Sequence, residues 1–245
     1  MIDIRLEGLR SKLGKVKRIL VICSAKGGVG KSTLTFLLAS VLSRKYKIGV
    51  WDMDLTGPSL HLLFKTNKTF IEKDGIVPPE IYRNIFFMSI VMFSKDDAIS
   101  LRGKEITDAI LEISAITNWG EIEYLLIDTP PTITDTFLDV IRYISEAEFL
   151  VVSTHSVLSF STVLKMVKIL EQNQRKPRLL FLNQIFPDQK SIKINNGSYE
   201  KLLRSFEKVV FIPFVKNIED YYGRVDEVPK ISELKEFIDS VYKIF

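Results

Sequence analysis

Cysteine is nearly missing from this 245-residue chain, with Cys23 as its only one. A lone thiol excludes an internal disulfide framework and any single-chain metal site built on two or four cysteines. Histidine is almost as scarce. His61 and His155 are the only two, and neither has ligand-like spacing with Cys23. No apolar run reaches the roughly 18 residues of a membrane span, and the N-terminus lacks the apolar region of a secretory signal. The cytoplasm is therefore the expected compartment, and stable membrane insertion is not expected. Net charge is small as well: 34 Lys and Arg against 30 Asp and Glu leave +4. That is too mild to argue nucleic-acid binding by itself, though it does not exclude DNA. What remains is 46% hydrophobic and 26% charged residues, enough for one large core. With no internal repeat, low-complexity tract or linker, residues 1–245 are expected to form a single domain, with 1–16 as an N-terminal helical arm.

The chain is organised around Cys23-Ser24-Ala25-Lys26-Gly27-Gly28-Val29-Gly30-Lys31-Ser32-Thr33. The apolar run Ile19–Ile22 before it reads as a buried parallel strand. Leu34, Leu37, Leu38, Val41 and Leu42 after it recur at helical spacing. Strand, glycine-rich loop and helix in that order are the context of a phosphate-binding loop. Glycines let the backbone curl so that successive N–H groups, here those of Gly27 to Thr33, point at one anion. The positive end of the following helix adds to that field. Lys31 is expected to reach the terminal phosphates, and the Ser32 hydroxyl to hold Mg²⁺.

A second apolar run, Ile48–Trp51, ends in Asp52-Met53-Asp54. Two acids at i and i+2 lie on one face of an extended segment, and at the carboxyl end of a central strand they face the ligand crevice. Tyr124–Ile127 is an apolar strand ending in Asp128. An acid there, about a hundred residues after a phosphate-binding loop, is the expected magnesium partner. Residues 66–84 read as a loop or short hairpin, 85–90 as a strand and 105–117 as a helix. The alternation continues through helix 135–145, strand 148–153, helix 160–172, strand 179–182, helix 198–206, strand 209–212 and a last helix from Ile231. Such alternation predicts an α/β fold: a three-layer sandwich with a mostly parallel central sheet and helices on both faces. Two segments invite a membrane or nucleic-acid reading. The N-terminal arm is basic, with Ile2, Leu6, Leu9 and Leu13 on one face. The last helix has an apolar stripe, but Lys230, Lys235 and Lys243 are matched by Glu233, Glu236 and Asp239. Packing is the expectation for both, of the arm on the domain or a partner and of the last helix on the core.

The loop departs from the plain pattern in having Ala25 for the first glycine and in carrying an extra lysine, Lys26. It resembles the deviant Walker A loop of the MinD/ParA/Mrp group of P-loop ATPases. Asp52-Met53-Asp54-Leu55-Thr56-Gly57-Pro58-Ser59 is similar to the Asp-x-Asp-x-x-Gly-Pro-Ser of the Mrp-type members. Leu101–Lys104, Trp119-Gly120 and Tyr124–Asp135 are similar to the middle region of that subfamily. The resemblance implies a homodimeric, Mg²⁺-dependent ATPase. In it Lys26 reaches across to the partner's nucleotide, Asp54 orients the attacking water, Asp52 acts in the magnesium shell, Asp128 is the Walker B acid and Asn183 reads the adenine edge. It implies ATP and ADP as ligands and an unidentified protein client, in iron–sulfur or other metallocentre assembly. The alternative is a positioning or partition ATPase acting on DNA or membrane. One feature of Mrp-type carriers is absent. Where they have Cys-x-x-Cys shortly after the asparagine, residues 184–191 here read Gln-Ile-Phe-Pro-Asp-Gln-Lys-Ser. No iron–sulfur cluster is therefore expected on this chain.

Overall fold

Hydrophobic alternation along the strands divides the molecule into two cores. In β1 (Arg18–Cys23), Ile19, Val21 and Cys23 enter one core, while Leu20 and Ile22 enter the other. The same split runs through β7 (Tyr124–Asp128), where Leu125 and Ile127 face one side and Tyr124 and Leu126 the other. Strands buried on both faces need helices on both. The computed structural model describes residues 4–55, 57–93, 104–186, 200 and 202–245. It contains α1 (Ile4–Leu13), α2 (Lys31–Leu42), β2 (Ile48–Asp52), α3 (Leu60–Leu63), β3 (Ile71–Glu72), β4 (Ile76–Val77), β5 (Glu80–Tyr82), β6 (Ile85–Ser89) and α4 (Lys104–Ile116). After β7 come α5 (Asp135–Tyr143), β8 (Ala147–Thr154), α6 (Val157–Gln172), β9 (Pro177–Ile185), β10 (Lys208–Pro213) and α7 (Lys235–Ile244).

Eight strands form one sheet in the order β10-β9-β8-β1-β7-β2-β6-β5. Every pairing in it is parallel except the edge pair β5–β6. α2, α3 and α7 supply one core, and α1, α4, α5 and α6 the other. This is the three-layer α/β fold that the alternation predicts. β1 lies between β7 and β8, so its carboxyl end, with the glycine loop, opens at the centre of the sheet.

The differences from the sequence reading are local. Residues 66–84 hold more than a hairpin. β3 and β4 pair antiparallel around Asp74-Gly75, which take the left-handed φ values of 51° and 113°, and β5 then joins the main sheet. α6 starts at Val157 because the Ser156 hydroxyl accepts the N–H of Ser159 at 3.2 Å and caps it. The last α-helix begins at Lys235, not Ile231, since Ile231 is extended and Ser232–Leu234 form a 3-10 turn. The helix expected over 198–206 falls partly outside the described residues, although Leu202 and Phe206 are buried. Ile2, Thr56, Leu101, Arg102 and Gly103 also lie outside them.

Both doubtful helices have covered apolar faces. In α1, Leu9 and Leu13 are buried against the core that includes α4, and Arg5 pairs with Asp108 at 2.8 Å. In α7, Phe237, Ile238 and Val241 are buried; Phe237 meets Phe181 edge-on, and the Tyr242 hydroxyl donates to the Val41 carbonyl at 3.2 Å. Truncating a buried phenylalanine costs about 3–5 kcal/mol through lost transfer energy and cavity formation. Phe237→Ala should accordingly lower the unfolding free energy by that amount, read as a lower urea midpoint. An unchanged midpoint would mean that α7 is not packed on the sheet in solution.

Candidate functional site

The loop from Ser24 to Gly30 curls between β1 and α2. The Ser24 hydroxyl donates to the Lys26 carbonyl at 3.0 Å. Gly28 and Gly30 take φ values of 76° and 89°, a region that side chains rarely adopt. At Gly30 space is also short, because a Cβ there would run into the carboxamide of Asn183. Asn183 Nδ2 donates to the Val29 carbonyl at 2.9 Å and its Oδ1 accepts the N–H of Gln184 at 2.8 Å. The carboxamide thus fastens the end of β9 to the loop, with one N–H hydrogen left over. Two cavities meet at the loop. One of ≈ 290 Å³ is lined by Gly27 to Thr33 together with Asp54, Ser59 and Pro131. The other, ≈ 330 Å³, is bounded by Thr33, Asn183, Phe214, Glu219 and Tyr222. Lys26 is exposed on the loop.

Strand register brings the two acids together. Asp128 ends β7 opposite Ile22 of β1 on one side and Asp52 of β2 on the other. It is fully buried and surrounded by the start of α2. Lys31 Nζ lies 2.8 Å from Asp128 Oδ1, the Thr35 hydroxyl donates to the same oxygen at 3.0 Å, and the Ser32 hydroxyl donates to Oδ2 at 2.7 Å. Asp52 faces a different set of donors. Its Oδ1 accepts the N–H of Asp54, and its Oδ2 accepts those of Ser59 and Leu60, each at 3.1 Å. Burial, and after it the charge of Asp128, holds the Asp52 carboxyl well above the usual carboxylate range. Asp54 is also buried and accepts the N–H of Gly57 at 3.0 Å.

These groups fit a hard divalent cation. Ser32, Asp52 and Asp128 offer only oxygen, and the crowding of two buried carboxylates is relieved by a positive charge. Among the described residues no three His, Cys, Asp or Glu side chains converge as a self-sufficient metal cage. Mg²⁺ sites commonly use one or two carboxylates together with substrate phosphates. Cys23 is unsuited to metal. It is buried, its Sγ points at the Leu150 carbonyl 3.7 Å away, and burial pushes its thiol up to about 12 against a smaller pull from Lys31. Among the described residues no helix is long and apolar enough to cross a membrane.

Sequence reasoning missed four contributors. Thr35 stands one helical turn after Lys31, so its spacing alone could have found it. The Ser59 hydroxyl donates to Ser32 Oγ at 3.2 Å; its Gly-Pro-Ser setting marked it without giving it a task. Phe214 and Tyr222 reach the second cavity from far along the chain, and no spacing signals them.

A sequence profile of the ParA family described as NUBPL iron-transfer P-loop NTPase matches residues 15–179. An "Iron-sulfur cluster carrier protein" of Rickettsia conorii is 30% identical over 207 residues, 84% of this chain and 64% of the relative. The chain spans less than two thirds of the length of such curated relatives. Among solved structures, a nucleotide-binding protein of Archaeoglobus fulgidus in complex with ADP aligns over 95% of this chain and 96% of its own, with 27% identity and a TM-score of 0.76. The cell division ATPase MinD of Pyrococcus furiosus shares the fold at 18% identity, with a TM-score of 0.64 over 94% of this chain and 98% of its own.

Proposed function

The chain belongs to the ParA family of NUBPL-type iron-transfer P-loop NTPases, and on that premise we propose that it is a homodimeric, Mg²⁺-dependent ATPase serving iron–sulfur assembly in the cytoplasm through a protein client. The observation that carries the reading is the convergence of Lys31, Ser32 and Asp128 beneath the glycine loop. The terminal phosphates enter the cavity of ≈ 290 Å³, where the N–H groups of Gly27 to Thr33 and the Lys31 ammonium meet their charge. The base enters the cavity of ≈ 330 Å³ beside Asn183. Ser32 and Asp128 would hold Mg²⁺, with Asp52 behind them, and the cation would supply positive charge against the terminal phosphates. Asp54 orients the attacking water, and the exposed Lys26 reaches the partner's nucleotide. The ADP named with the Archaeoglobus neighbour supports the ligand, and the name of the Rickettsia relative supports the assembly role.

The thiols for a cluster come from the client. A bridging cluster needs four thiolates, and two copies of this chain offer two, both buried between strands. Anaerobic reconstitution of the purified protein with iron and sulfide should leave no stoichiometric iron and no charge-transfer absorption. The same preparation should release phosphate from Mg²⁺–ATP and stop when the cation is chelated. A cluster bound by this chain alone, lost in Cys23→Ser, would overturn the first expectation. ATP bound without any phosphate release would reduce the enzyme to a nucleotide-binding module.

A further inference from the structure

Ser59 touches both halves of the acidic centre. Its backbone N–H donates to Asp52 Oδ2 at 3.1 Å, and its hydroxyl donates to Ser32 Oγ at 3.2 Å. Ser32 in turn donates its own proton to Asp128 Oδ2 at 2.7 Å. A serine hydroxyl has one proton and two lone pairs. With the proton committed to Asp128 and one lone pair to Ser59, a single lone pair of Ser32 remains, in a direction fixed by the other two. That is the arrangement a first-contact oxygen needs if it is to meet a cation without reorientation. Asp52 completes it from the other side. Its three backbone donors, from Asp54, Ser59 and Leu60, hold both ends of the turn that carries Asp54. The Ser59 hydroxyl thus links the turn to the P-loop, while the Asp52 carboxylate ties the turn to the end of β2.

We infer that Ser59 is a positioning residue of the hydrolytic site, orienting the Ser32 hydroxyl for Mg²⁺ and holding the Asp54 turn against it. The inference rests on the ATPase reading of the site. Ser59 acts through Ser32, and outer partners of metal ligands typically change metal affinity or activity by about 10- to 100-fold when removed. Ser59→Ala leaves the backbone N–H on Asp52 in place, so the turn keeps its anchor and loses only the hydroxyl contact. Ser59→Thr keeps that hydroxyl.

The test uses the full chain and a fluorescent ADP analogue, titrated first in chelator and then with increasing Mg²⁺. For Ser59→Ala, the Mg²⁺ concentration giving half of the cation-dependent gain in affinity should rise by about 10-fold or more, over and above any change of binding in chelator. Ser59→Thr should restore it. Parental Mg²⁺ dependence in Ser59→Ala would overturn the positioning role alone, with the nucleotide site intact. Equal loss in chelator and in Mg²⁺, not rescued by Ser59→Thr, would make Ser59 a purely structural residue and also overturn it. A parent protein that binds no nucleotide under either condition would overturn the ATPase reading and the inference with it.

Discussion

Lys31→Ala is expected to abolish nucleotide binding at working concentrations. Lys31 is 7% exposed and its ammonium lies 2.8 Å from Asp128 Oδ1. It is thus the cation already placed inside the loop that must receive the phosphates. Truncating one partner of a buried, hydrogen-bonded charge pair costs about 2–5 kcal/mol, or roughly 30-fold to several thousand-fold in Kd. The substitution also leaves Asp52 and Asp128 side by side, with Thr35 and Ser32 as the remaining side-chain donors to Asp128. Removing one partner of a buried ion pair leaves an uncompensated buried charge. The variant should therefore lose stability as well as ligand, and circular dichroism must accompany calorimetry. A folded Lys31→Ala protein that binds ATP with parental affinity would show that the loop's N–H groups suffice and that Lys31 serves the acids alone.

Legibility in the sequence followed how local the physics was. β1, the glycine loop and the start of α2 were readable because strand period, positive-φ glycines and helical period follow one another within a few dozen residues. Asp128 was readable as the polar end of an apolar strand. The burial of the α7 face was readable from its balanced charge. The partners of Asp52 were not readable in the same way. Its three N–H donors come from a turn that folds back over the strand end, and nothing in Asp-Met-Asp announces that return. The amide of Asn183 is another case. The family resemblance implied a base reader, and in the fold its Nδ2 holds the Val29 carbonyl and crowds the space beside Gly30, whose φ of 89° already disfavours a side chain. β5 was missed because three residues of a short edge strand carry too little alternation to register. The aromatic wall of the second cavity depends on the β10–α7 connection folding back towards α2, where the Tyr222 hydroxyl comes 3.4 Å from the Thr33 hydroxyl, a pairing that only the folded chain supplies.

Lys26→Ala should bind ATP and hydrolyse it slowly, and the defect should be curable by a second mutant. Lys26 is exposed on the loop, while Lys31 is buried within it, so the two lysines of one motif face different surroundings. A cation supplied from a partner subunit, as an arginine finger is, contributes about 10³–10⁵ in rate. Lysine lacks the guanidinium fork, which places the expectation at the low end of that range. Asp54→Ala should also retain ATP and lose turnover, since Asp54 lines the cavity of ≈ 290 Å³ and its carboxylate accepts the Gly57 N–H. Each homodimer is then dead for a different reason. In a mixed two-fold dimer, the site on the Lys26→Ala subunit keeps its own Asp54 and receives Lys26 from the Asp54→Ala subunit. The other site has neither. With random pairing of equal amounts, half the dimers are mixed and half their sites work, so recovery of about a quarter of parental turnover is expected. Phosphate release after subunit exchange measures it, and native mass spectrometry of the two tagged chains establishes that mixed dimers are present. No recovery in a sample rich in mixed dimers would place Lys26 in its own subunit's site and remove the reason for the dimer in catalysis.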